Sequence, residues 1–96
     1  MSDLKPARQA WTYLSNHAHV LIAVAKDPET RVRDLAVRVG ITERAVLQIL
    51  ADLEAAGAIV RHRLGRRTSY DIDPDAMLRH PLESHRRVAD ILRLAE

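Results

Sequence analysis

The stretch RVRDLAVRVGITERAVLQILADLEAAG, residues 31–57, decides the fold. Its second half carries Val46, Ile49, Leu50 and Leu53 at i, i+3, i+4 and i+7, the spacing that gathers apolar side chains on one helical face. The opposite face then presents Arg44, Gln48, Ala51 and Ala55, of which the first two have polar reach. Thr42 stands where an N-cap belongs, Glu43 puts negative charge in the first turn, where the helix dipole favours it, and Gly57 closes the helix. The first half reads as a shorter helix, with Leu35, Ala36 and Val39 on one face, Arg33 and Arg38 in solvent and Gly40 as the C-terminal cap. Only VGIT joins the two.

Toward the N-terminus, NHAHVLIAVAKDP predicts a helix capped by Asn16 and stopped by Pro28. Val20, Leu21, Ile22 and Val24 make it apolar nearly all round, so burial on most sides is expected. Residues 1–10 are polar, contain Pro6 and read as a loose arm. Toward the C-terminus, IVRHRLGRRTSYDID, residues 59–73, changes the period to two. With Gly65, Arg66 and Arg67 as a three-residue loop, Leu64 faces Thr68, His62 faces Tyr70 and Val60 faces Ile72 on one side of an antiparallel ribbon. The other side pairs Arg61 with Asp71 and Arg63 with Ser69. Pro74 ends the ribbon, and a last helix is expected over 81–95, opened by Pro81. Its His85, Val88, Leu92 and Ala95 follow a 3,4,3 spacing with Ile91 alongside, a stripe suited to a partner helix.

The expected fold class is therefore mainly α with a small β-hairpin, in one domain spanning residues 1–96: an arm over 1–10, a helix pair over 34–57, a hairpin over 59–73 and a dimerisation helix over 81–95. Ninety-six residues suffice for one core but leave apolar surface that a second subunit can cover. Hydrophobic residues make up 47% and aromatics 3%, so Leu, Val, Ile and Ala must build that core. The absence of cysteine excludes disulfides and thiolate metal sites. With neither a signal-like apolar run nor a membrane-length one, a cytoplasmic, nucleoid-associated protein is expected.

Net charge is only +2, yet thirteen of the fifteen basic residues are arginine, and four of them fall in the hairpin. Arginine is suited to bidentate contact with phosphate and guanine. The B-DNA major groove admits one helix, read from its first residues while the preceding helix braces it. On the helix after Thr42, Arg44 suits guanine and Gln48 suits adenine, and Thr42 can offer its hydroxyl or backbone N–H to a phosphate. Arg66 and Arg67 at the hairpin tip would meet neighbouring phosphates or a narrow minor groove. Arg61 and Arg63 lie on the same ribbon.

Residues 32–72 resemble the winged helix-turn-helix of bacterial and archaeal transcriptional regulators in the broad MarR-like and ArsR-like group. The residues that carry the resemblance are the order LA, VGIT, LE.AG.I.R, GRR and Y. It implies that the helix from Thr42 is the recognition helix, the hairpin the wing, and the terminal helices a symmetric dimer interface. A double-stranded DNA interface is therefore expected at Arg33, Thr42, Glu43, Arg44, Ala45, Leu47, Gln48, Arg61, Arg63, Arg66 and Arg67, and a homodimer interface at Trp11, Leu14, Val88, Ile91, Leu92 and Ala95. Relatives often carry polar residues where this chain has Ala45 and Leu47; Leu47 would at most meet a thymine methyl. Shape and phosphate contacts are then expected to carry much of the affinity.

No cofactor, metal or catalytic residue is expected. His17 and His19 fall about 200 degrees apart on a helix and cannot share an ion within one subunit; His80, Glu83 and His85, which a symmetric dimer could bring together from both copies, are the better set but match no ligand spacing. Neither a Gly-rich phosphate loop nor a nucleophile with a recognisable base is present. A protein-interaction module gripping an acidic partner and an architectural DNA binder are the other readings, and a small-molecule or metal effector would be an addition to the DNA-binding regulator.

Overall fold

Six elements follow one another in the computed structural model, which describes residues 11–96: α1 (Asn16–Lys26), α2 (Val32–Val39), α3 (Glu43–Ala55), β1 (Ile59–Leu64), β2 (Arg67–Ile72) and α4 (Val88–Arg93). The arm expected over 1–10 lies outside the described residues. Helix α1 is capped one residue earlier than expected, by Ser15, whose Oγ accepts the Ala18 N–H at 3.2 Å. Asn16 is instead the first helical residue and bonds His19. Gly40 ends α2 with φ +85, a conformation that costs glycine nothing and a side-chain-bearing residue a good deal. Thr42 caps α3 as expected, its Oγ1 accepting the Ala45 N–H at 3.0 Å. Thr42→Ala is expected to destabilise the fold by about 1 kcal/mol in denaturant unfolding, with Thr42→Ser restoring most of it.

The core is built where the periodicities meet. Val20, Leu21, Ala23 and Val24 of α1, Leu35 and Ala36 of α2, and Val46, Ile49, Leu50 and Leu53 of α3 form one buried cluster closed by Ala58, Ile59, Tyr70 and Val88. Pro28 and Thr30 turn the chain between α1 and α2, and the Pro28 carbonyl accepts the Tyr70 N–H at 2.9 Å, tying that turn to β2.

The hairpin differs from expectation by one residue. Its loop has two residues, Gly65 and Arg66, with Leu64 opposite Arg67, His62 opposite Ser69, Arg61 opposite Tyr70 and Ile59 opposite Ile72. Gly65 has φ +63 and Arg66 does not have a positive φ, which is the type II′ requirement of glycine at the first central position. The slip changes which face of β1 looks inward. Ile59 is buried beside Ala58 and Tyr70, while Val60 is exposed. Arg61 is consequently not paired with Asp71; His62 takes that carboxylate, Nε2 to Oδ2 at 2.8 Å, and Arg63 sits opposite Thr68 rather than Ser69.

The expected helix over 81–95 is largely replaced by irregular chain. Residues 81–85 form turns, Arg87 is extended and bridges Met77, and only Val88–Arg93 is helical. Tertiary pairing explains the difference: Leu78 and Val88 donate to the carbonyls of Arg86 and Ala76, which draws the chain before α4 into a ladder. Asp90 then starts the helix by accepting the Arg87 N–H at 2.9 Å and side-chain bonds from Arg86 and Arg93. Val88, expected in a dimer interface, is 3% exposed inside the chain's own core. Leu92 packs against the same core, and the Ala95 carbonyl accepts from Lys26 Nζ at 3.0 Å, docking the C-terminal end on α1. The 3,4,3 stripe therefore does not exist as one helical face.

Candidate nucleic-acid interface

Helix α3 and the hairpin are set side by side because Leu50 and Leu53 face the core from one element and Ile59 and Tyr70 from the other. A cleft of about 530 Å³ is left between them, with the N-terminal end of α2 as its floor. Arg31, Arg61, Arg66 and Arg67 line it together with Leu47, Ala51 and two acids, Glu29 and Glu54. Arg67 Nη1 lies 3.3 Å from Glu29 Oε1, and Arg61 Nε lies 3.8 Å from Glu54 Oε2. Pairs this exposed are worth at most about 1 kcal/mol, so a phosphate can displace either acid.

Of the expected DNA residues, Arg33, Thr42, Glu43, Arg44, Leu47, Gln48, Arg61, Arg63, Arg66 and Arg67 are exposed, and Ala45 is half-buried. Arg33 belongs to α2, Arg44 and Gln48 to the outer face of α3, and the other four arginines to the hairpin. Leu47 is 56% exposed on the wall of the cleft. The Thr42 hydroxyl accepts from Ala45 and keeps its own hydrogen for a phosphate.

Three residues that sequence reasoning passed over enter the site. Arg31, the residue before α2, adds a fourth guanidinium to the cleft. Asp52 and His17 are tied to Gln48 from the edge of a second groove: Gln48 Nε2 donates to Asp52 Oδ1 at 3.0 Å, and His17 Nε2 lies 2.8 Å from Asp52 Oδ2. The i,i+4 spacing of Gln48 and Asp52 is visible in sequence; the His17 contact spans 35 residues and is not. The bonds from His17 and then Gln48 hold the Asp52 carboxyl below its ordinary 3.8. A depressed carboxylate contributes stability that is complete above its unfolded-state value and disappears as pH falls through the folded one. Unfolding curves collected from about pH 6 to about pH 2.5 are therefore expected to show the wild type's advantage over Asp52→Asn shrinking as pH falls below 3.8.

Four of the five histidines are engaged separately. His17 bonds Asp52, His19 bonds Asn16, His62 bonds Asp71, and His80 Nδ1 accepts the Leu82 N–H at 3.1 Å. Among the described residues, no three His, Asp or Glu side chains are grouped so as to hold a metal ion.

Two comparisons bear on this arrangement. Residues 16–60 match a family model described as winged helix-turn-helix DNA-binding. Among solved structures, the chain is similar to the crystal structure of the AntR antimony-specific transcriptional repressor, with TM-score 0.53 and 22% identity over 99% of this chain and 91% of that one. No curated protein sequence matches. The α1–α2–α3–β1–β2 order and the family model matched over residues 16–60 give the chain a winged helix-turn-helix fold, with α2 and α3 as the helix pair and the β1–β2 hairpin in the wing's place.

Proposed function

We propose that this protein is a DNA-binding transcriptional regulator that works as a sequence-reading homodimer on double-stranded DNA in the cytoplasm. The observation that carries the proposal is the cleft, in which four arginines from α2's approach and the wing converge on the wall of α3. Helix α3 enters the major groove with Arg44 and Gln48 toward base edges, and Leu47 supplies apolar contact. Arg66 and Arg67 at the wing tip neutralise phosphates beside that groove or enter the minor groove, while Arg33, Arg61 and Arg63 add positive charge along the same duplex.

Dimerisation is supported by apolar surface away from the cleft. Trp11 is 65% and Tyr13 92% exposed, and their rings meet edge to face with centroids 4.9 Å apart. Tyr13 borders a second groove of about 680 Å³ whose lining includes Leu14, Met77, Leu78 and Ile91. Exposed aromatic and aliphatic surface of this kind marks an interface. The proposed dimer surface is accordingly Trp11, Tyr13, Leu14, Met77 and Ile91; Val88 is already covered within the chain.

The test is selection of purified protein on a pool of random duplexes at about 150 mM salt, where specific and non-specific binding separate. An enriched inverted repeat is the expected outcome, its half-site spacing reporting the distance between recognition helices. Retention without enrichment would make the protein an architectural binder. No retention, even at low salt, would overturn DNA reading and favour a protein partner for the wing.

A further inference from the structure

Gln48 is the side chain on α3 suited to adenine, but it is not an independent reader. An unrestrained glutamine samples three torsions, the last of them broad and roughly two-fold, so its amide presents either end. Asp52, one turn further along α3, removes that ambiguity. An ionised carboxylate only accepts hydrogen bonds, so its 3.0 Å contact selects the flip in which Gln48 nitrogen, not oxygen, points along the helix toward Asp52. One of the two amide N–H groups is used. Oε1 and the second N–H remain, the acceptor and donor that adenine N6 and N7 require.

Asp52 is itself braced. His17 reaches from α1 to its other oxygen at 2.8 Å, so the carboxylate is held from both sides. An unbalanced acid beside a recognition helix would repel the duplex, and the positive charge of Arg79 and the imidazole of His17 offset this one. We propose that Asp52, braced by His17, is a specificity-determining positioning residue that presets the Gln48 amide for base reading. This rests on the reading above, in which α3 faces base edges.

The same random-duplex selection, run on the wild type, Gln48→Ala, Asp52→Ala, His17→Ala and the Gln48→Ala/Asp52→Ala double variant, tests it, with circular dichroism melting to confirm that each is folded. Wild type is expected to prefer adenine at one position of each half-site, and Gln48→Ala to lose that preference. Asp52→Ala is expected to weaken it roughly two- to tenfold, the cost of ordering one long side chain at the moment of binding, and His17→Ala to weaken it less. In the Gln48→Ala background, Asp52→Ala should change that position no further, which a merely structural role would not produce. If Gln48→Ala loses the preference but Asp52→Ala keeps it in full, the positioning role is overturned and base reading by Gln48 stands. If Gln48→Ala keeps the wild-type motif, both fall while sequence-specific binding survives. If the wild type enriches nothing, sequence reading and this proposal fail together.

Discussion

Replacing Arg66 and Arg67 together by alanine is expected to weaken duplex binding by roughly sixtyfold at about 0.1 M salt and to reduce the slope of log affinity against log salt by about 1.8. Both figures follow from counterion release, in which each phosphate contact contributes a slope of about 0.9 and hence roughly eightfold at that salt. The loss should be nearly uniform across sequences, because phosphate contacts position the protein without reading bases. Fluorescence anisotropy titrations over a series of salt concentrations measure both quantities. The fold should be unaffected: both side chains are exposed, and the one ion pair lost among the described residues, Arg67 with Glu29, is a surface pair. An unchanged salt slope in a folded double variant would remove the wing from the interface.

Leu35→Ala is expected to have the largest effect on stability. Leu35 is fully buried, in the α2 segment that packs against both α1 and α3. Truncating a buried leucine costs about 2–5 kcal/mol, which is a large part of the roughly 5–15 kcal/mol that holds a domain together. For a domain of this size the melting temperature should fall by at least about 8 °C. DNA affinity measured well below that midpoint should change far less than in the wing variant, because Leu35 packs beneath α3 in the core, away from the exposed arginines. Val37, two residues on and 76% exposed, is the internal control; Val37→Ala should leave the melting temperature nearly unchanged.

These two variants separate what was legible in the sequence from what was not. Leu35 and the Val46, Ile49, Leu50, Leu53 stripe were readable because a helix of any orientation repeats every 3.6 residues, and burial follows from that period alone. Thr42 and Gly40 were readable because caps are local: each satisfies backbone groups within a few residues. Four arginines within one hairpin were readable because a tight turn brings neighbours in sequence together in space.

The hairpin register was legible only to within one residue. Alternation is equally well satisfied by Val60 or Ile59 facing inward, and the choice fell to Ile59 because Gly65 sits first in a two-residue loop and Ala58 leads directly into the core. The last helix shows the same limit on a larger scale. Residues 81–87 carry a good first-turn proline and a helical pattern, yet backbone pairing between 76–78 and 86–88 defers the helix to Val88. No local signal competes with hydrogen bonds made to a strand-like segment elsewhere in the chain.

By itself, the sequence determined the helical periods, the caps, the inward face of α3 and the concentration of arginine on the hairpin, all properties of residues within a few positions of one another. Tertiary structure alone decided which acids meet the wing, Glu29 with Arg67 and Glu54 with Arg61, and that Arg31 joins them. It also decided that His17 reaches Asp52 across 35 residues and that Val88 serves the chain's own core. Those contacts depend on how α1, α3 and the hairpin pack against one another, and such long-range geometry leaves no periodic trace in the chain.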